Sequence, residues 1–169
     1  MADAWAQVTA TVAAEFSDLT DVSDATRIVV RLLVAGVLGG ILGWEREHAG
    51  KAAGVRTHML VAMGAALFVL AGQQHGMQAP DMSRIVQGIV AGVGFLGAGT
   101  ILKGSGQEQV HGLTTAAGIW LTAAIGTAAG MGLEATAVLS AALAFVVLWA
   151  LPLLQTATMR RKLQTKPEA

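Results

Sequence analysis

The chain has 169 residues, 54% of them hydrophobic and only 13% charged, with a mean hydropathy of +0.59. Ordinary soluble domains carry about 25% charged residues; so few charges cannot cover a water-exposed surface, and lipid must solvate most of the outside. The net charge is zero with no basic face, so nothing points to a nucleic-acid partner, and the absence of cysteine excludes disulfides and thiolate metal sites.

Residues 1–26 form an acidic leader. It carries Asp3, Glu15, Asp18, Asp21 and Asp24 and no Lys or Arg before Arg27, so it lacks the positive start of a secretory signal. Trp5, Val8, Val12, Phe16 and Leu19 recur at helical spacing, which predicts a short amphipathic helix on the outer membrane surface.

Five apolar spans follow, making residues 27–154 a transmembrane domain. The first runs from about Ile28 to Trp44, with Arg27 and Arg31 one turn apart at its start and able to snorkel. Its Gly36, Gly39, Gly40 and Gly43 lie on related faces, where small residues let helix backbones approach each other. The second span runs from about Thr57 to Ala71, and a polar loop from Gln73 to Ser83 contains Pro80. The third runs from about Ile85 to Leu102, followed by a glycine-rich polar loop from Lys103 to His111. The fourth runs from about Leu113 to Ala129 and ends at a turn around Gly130-Met131-Gly132, with Glu134 just beyond. The fifth runs from about Ala135 to Leu154 with Pro152 near its end, and residues 155–169 form a short basic tail. The expected fold is therefore all-α: a polytopic, glycine-rich bundle of five short helices in the lipid bilayer.

Between the first two spans lies the densest chemistry of the chain. Glu45, Arg46, Glu47, Lys51 and Arg56 stand there with His48 and His58. Lys and Arg concentrate in this turn, at Lys103 and in the tail, while only Arg27, Arg31 and Arg84 fall on the other side. The bias predicts an outside N-terminus, with the charged turn and the C-terminus cytoplasmic.

The turn from Glu45-Arg46-Glu47-His48 through Lys51-Ala52-Ala53-Gly54-Val55-Arg56-Thr57-His58-Met59-Leu60 resembles the signature of the MgtC/SapB family of bacterial inner-membrane proteins. Gly92-Val93-Gly94-Phe95-Leu96-Gly97-Ala98-Gly99-Thr100-Ile101-Leu102 is similar to a second family motif. Val110-His111-Gly112-Leu113-Thr114-Thr115-Ala116-Ala117, with Trp120, is similar to a third. The order and spacing of all three fit, and the likeness covers residues 27–152. It implies a five-span inner-membrane protein linked to magnesium limitation and, in pathogens, to survival inside host cells. It also implies either handling of Mg2+ or, as the alternative, regulation of another membrane complex such as the ATP synthase. Well-known virulence members carry a cytoplasmic domain after the last span, for which this chain shows only a short tail. Some members have Arg where this chain has His111, and Asn where it has Thr114.

Magnesium takes oxygen ligands in octahedral geometry. Glu45 and Glu47 are the candidate carboxylate ligands, with Mg2+ as substrate or ligand and no organic cofactor. Two residues apart, they diverge on an ideal helix, so they could share an ion only where the helix ends. Two other uses stay open: an ion pair of Glu45 or Glu47 with Arg56 that staples the first two spans, or a docking surface of Arg46, Lys51, Arg56, Thr57 and His58 for a membrane-protein partner. Gly92, Gly94, Gly97 and Gly99, with Thr100, His111, Thr114 and Thr115, read either as helix packing or as a narrow polar path. The Gly92-x-Gly94-x-x-Gly97 pattern lies inside a span with no preceding strand, so it is no dinucleotide fingerprint. No Asp or Glu sits mid-span, which disfavours proton-coupled transport. There is no nucleophile–base constellation and no cofactor motif, hence no sign of an enzyme. A bundle this small and rich in small residues is expected to self-associate as a homodimer or higher oligomer.

Overall fold

The structure is a computed structural model that describes residues 2–19, 21–103 and 110–164, with the backbone alone at Ala2, Asp18, 102–103 and 152–164. Met1–Val30 and Arg31–Ala169 form separate compact units.

Helix α1 spans Ala2–Glu15, and a single 3-10 turn covers Ser17–Leu19. Trp5, Val8, Val12 and Phe16 are all exposed along it. Asp21 precedes α2 (Val22–His48), and its carboxylate accepts the Ser23 N–H at 2.9 Å, supplying an acceptor to a helix start that has none. The remaining long helices are α3 (Val55–Gln74), α4 (Ala79–Gly99), α5 (Leu113–Gly130) and α6 (Glu134–Gln164). Five helices, α2 to α6, are long and apolar enough to cross a membrane.

Three of the helix ends are closed by the same device. Gly50, Gly76 and Gly132 each adopt positive φ, at 66°, 65° and 81°. At Gly50 the N–H bonds to the Glu47 carbonyl at 3.0 Å and that of Lys51 to the Arg46 carbonyl at 2.9 Å. This is the paired pattern of a left-handed glycine cap, and Gly76 and Gly132 repeat it. The expected break at Gly130–Gly132 is thus a glycine-capped turn between α5 and α6.

Both ends of the third span differ from expectation, and α2 begins at Val22, inside the expected leader. The third span begins at Ala79 rather than near Ile85, because Pro80 in the first turn and Asp81 beside it form a helix start, not a loop. It ends at Gly99 rather than Leu102, where the Thr100 hydroxyl turns back to the Gly97 carbonyl at 2.8 Å. Beyond it β1 (Leu102–Lys103) pairs antiparallel with β2 (Val110–His111), a two-residue ladder. The rest of the expected polar loop, 104–109, lies outside the described residues. Helix α6 continues past Pro152 into the expected basic tail, whose side chains lie outside the described residues, as do 165–169.

Helix α3 packs closely against two neighbours. On one side it meets α2 through Gly36, Gly39, Gly40 and Gly43. A Cβ on Gly39 would stand 2.6 Å from the His58 carbonyl, and one on Gly43 2.7 Å from the Val55 Cα. On another side it meets α5, where a Cβ on Gly126 would collide with the Ala62 backbone and one on Gly130 would lie 2.7 Å from the Ala66 carbonyl. The shared core is mostly small: Ala35, Leu38 and Leu42 of α2 pack with Ala62, Ala66, Ile125, Ala129 and the α6 face Ala137, Ala141 and Ala144. Lipid gives helices no hydrophobic reason to associate, so close backbone approach and dispersion hold them together. A second cluster joins Val69, Ile89, Val93 and Ile119 across α3, α4 and α5.

Candidate functional site at the charged turn

The last turn of α2 and the first turn of α3 build the site. Glu45 and Arg46 are inside, at 8% and 3% exposure. Arg46 grips Glu45 with two donors, Nε to Oε2 and Nη2 to Oε1 at 2.7 Å, a bidentate pair between adjacent residues. Glu47 is exposed and does something different. Its Oε2 accepts the Val55 N–H at 3.0 Å, satisfying one of the free donors at the start of α3. Gly54 has no side chain because the Glu47 carboxylate occupies the space where its Cβ would be.

Glu47 therefore joins α2 to α3 through a backbone N–H, not through Arg56, and Glu45 pairs with Arg46. The expected Arg56 staple is corrected on both counts: the helix start competes for one carboxylate, and the long Arg46 side chain folds back on the other. Each carboxylate thus has its own protein partner. Among the described residues no group of three or more His, Cys, Asp or Glu lies close enough to hold a metal ion.

Of the residues grouped as a docking surface, Lys51, Arg56 and Thr57 are exposed, whereas Arg46 and His58 are interior. His58 is fully enclosed, with Nδ1 3.0 Å from the Gly54 carbonyl. That burial has a sequence cause legible only afterwards: His58 is three residues beyond the start of α3, on the face that meets the glycines of α2 and α5.

The motif glycines and threonines scatter. Gly97 rests on Ala116, whose Cβ would be 3.5 Å from a Cβ added there. Among the described residues nothing lies within 4 Å of a Cβ added at Gly92, Gly94 or Gly99. Gly92 opens with Gly64 and Gly88 onto an apolar groove of about 610 Å³ between α3 and α4, lined also by Leu60, Phe68 and Leu96. Thr115 is buried, Thr100 half-buried, and His111 and Thr114 exposed. Gly112, at φ 93°, caps the start of α5, and a Cβ there would collide with the Thr100 carbonyl.

At the other end of the bundle Arg31 does more than snorkel. It donates to Gln73 Oε1 at 2.7 Å and to the Gly130 carbonyl at 2.9 Å, and stands 3.7 Å from Glu134. One guanidinium thereby ties the ends of α3, α5 and α6 to α2. Along α2 it lies fifteen residues from Arg46, about 22 Å of helix.

These features fit a known family of polytopic membrane proteins. The MgtC family model matches residues 32–157, and the chain belongs to that family. It is a multi-pass helical protein of the bacterial inner membrane. Over 114 residues it is 50% identical to protein SrpB of Synechococcus elongatus, covering 61% of this chain and 63% of SrpB. Over 128 residues it is 41% identical to the "Putative magnesium transporter YhiD" of Escherichia coli K12, covering 71% of this chain and 58% of YhiD. Over 104 residues it is 43% identical to protein MgtC of Salmonella typhimurium, covering 62% of this chain and 43% of MgtC. The chain thus spans only part, about half, of the curated relatives it matches. No solved structure matches it.

Proposed function

We propose that this protein handles magnesium in the bacterial inner membrane, binding or conducting Mg2+ at the charged turn, which faces the cytoplasm. The name of YhiD supports the choice of ion. The observation that carries the proposal is the arrangement of carboxylates where α2 ends: Glu45, buried and held by Arg46, and, two residues on, the exposed Glu47 over the start of α3.

In this proposal Mg2+ meets the exposed Glu47 first. A divalent ion then competes with the Arg46 guanidinium for Glu45, exchanging a monovalent partner for a divalent one. The last carbonyls of α2 carry partial negative charge and favour a cation there. Magnesium keeps several waters and needs only one or two carboxylates, so a complete protein cage is unnecessary. Threonine hydroxyls, Thr115 foremost because it is buried, supply neutral oxygens further in. The test is Mg2+ uptake into proteoliposomes by wild-type protein and by the Glu45→Gln/Glu47→Gln variant.

A second reading makes the chain a non-transporting regulator that docks on another membrane complex. It is supported by the exposed Lys51, Arg56 and Thr57 on the same turn. Charge reversal at Lys51 and Arg56 separates the two: it abolishes docking and leaves Mg2+ uptake in place.

A further inference from the structure

Two polar atoms in the seam between α3 and α5 are buried without a hydrogen-bond partner, His58 Nε2 and Thr122 Oγ1. Both side chains are completely enclosed. The register makes them neighbours. Gly118 lies against the tip of the His58 ring, and Gly126 lies against Ala62, one turn further along α3 and two turns further along α5. Thr122 is one turn from each of those glycines, on the same face, and so falls beside His58 and Ala62.

The hydrogen bond on the far side of the ring assigns its proton. A carbonyl only accepts, so the 3.0 Å contact with Gly54 O puts the proton on Nδ1. Nε2 of the neutral ring then presents a lone pair and requires a donor. Thr122 is unusual in a complementary way. A threonine in a helix can satisfy its hydroxyl on the carbonyl four residues back. Thr127 does so, bonding to the Ala123 carbonyl at 2.9 Å, whereas Thr122 leaves its hydroxyl unbonded. The nearest charged groups from α2, Glu45 and Arg46, are bonded to each other, and α5 contributes no titratable residue.

No side chain stands at Gly118, where a Cβ would be in ordinary contact with Nε2 at 3.6 Å. We propose that this seam holds one buried water beside Gly118, donating to His58 Nε2 and bonded to Thr122 Oγ1 at the usual distance of about 2.7–3.2 Å. Buried waters typically satisfy groups of this kind, left without protein partners. Mg2+ does not suit the site, since it selects oxygen ligands and keeps its own waters. The consequence is a proton-accepting nitrogen and an exchangeable water inside a span that has no Asp or Glu of its own.

The test uses the full chain in lipid nanodiscs, 15N-labelled at histidine. NMR reads the tautomer of His58 and magnetisation transfer from water to its ring, with His58→Asn assigning the signal and the exposed His48 and His75 as solvent-contact references. The expected result is an Nδ1-protonated ring whose Nε2 accepts a hydrogen bond and receives transfer from water. Gly118→Ala, which meets His58 at an ordinary contact distance, abolishes that transfer. Thr122→Val abolishes it too, and Thr122→Ser restores it; this pair decides the matter if Gly118→Ala does not fold. An Nε2-protonated or doubly protonated ring, no transfer in folded wild-type protein, or transfer that survives Gly118→Ala or Thr122→Val overturns the proposal.

Discussion

Removing Arg46 alone should be among the most damaging single changes at the charged turn. Arg46 is 3% exposed, and both oxygens of Glu45 accept from it. Arg46→Met keeps an unbranched apolar stem but strands a carboxylate in a nearly dry site. Breaking a buried pair by deleting one partner costs about 3–5 kcal/mol. Glu45→Gln should cost less, about 1.5–3 kcal/mol, because the amide oxygen still accepts from the guanidinium. Replacing both partners by apolar residues, Glu45→Leu with Arg46→Met, removes the desolvation cost together with the attraction and should recover most of the loss. The assay is a double-mutant cycle of Glu45→Leu, Arg46→Met and the two together on unfolding by SDS in mixed micelles, followed by helical circular dichroism. The sum of the single losses should exceed the loss in the double variant by about 2 kcal/mol or more. A loss below about 1 kcal/mol for Arg46→Met, the value of an exposed pair, or simple additivity, would refute a buried pair.

The other predictions concern packing, capping and assembly. Gly126→Ala should destabilise by at least about 1–3 kcal/mol, since its methyl collides with the backbone of Ala62. Gly64→Ala, with open space around it, should be neutral or stabilising by up to about 1 kcal/mol, and thermal melts of the two variants should separate accordingly. The Ser23 amide and hydroxyl hold the Asp21 carboxyl below its ordinary value, so the start of α2 gains from Asp21 above the ordinary carboxylate range and loses that support as pH falls through the lowered value. Amide exchange in the first turn of α2 should therefore speed up in acid, and pH-independent exchange there would argue against the cap. In mild detergent the chain should migrate as a homodimer or higher oligomer. Gly92→Leu, which fills the open groove between α3 and α4, should shift it toward monomer; a monomeric wild type rejects self-association.

Much of the fold was legible because its signals are local. Five apolar runs separated by charged or glycine-rich turns are visible without coordinates, and the glycines of α2 announced close packing that α3 in fact provides. The start of α4 was misplaced because polar residues were weighed above the Pro80–Asp81 helix-start signal. The glycines of the second motif are the opposite case. Spacing alone could not distinguish Gly97, against Ala116, from Gly92, Gly94 and Gly99, where an added Cβ would meet no described residue within 4 Å, because that depends on where α5 lies. At the site, the concentration of charge was plain, but the pairing was not. Which carboxylate Arg46 reaches, and that Glu47 is taken by the Val55 N–H, depend on how α2 ends and at what angle α3 begins. The burial of His58 and Thr122 and the clasp of Arg31 are likewise products of three-helix contact, invisible one helix at a time.

The most direct measurement is Mg2+ flux into proteoliposomes of known protein orientation, comparing wild type, Glu47→Gln and the Glu45→Gln/Glu47→Gln variant. Glutamine at 47 keeps an oxygen for the Val55 N–H, so that substitution removes charge without removing the cap. Magnesium handling at the charged turn predicts wild-type flux that falls with Glu47→Gln and disappears in the folded double variant. No flux from folded wild-type protein, or flux indifferent to both glutamates, would contradict it.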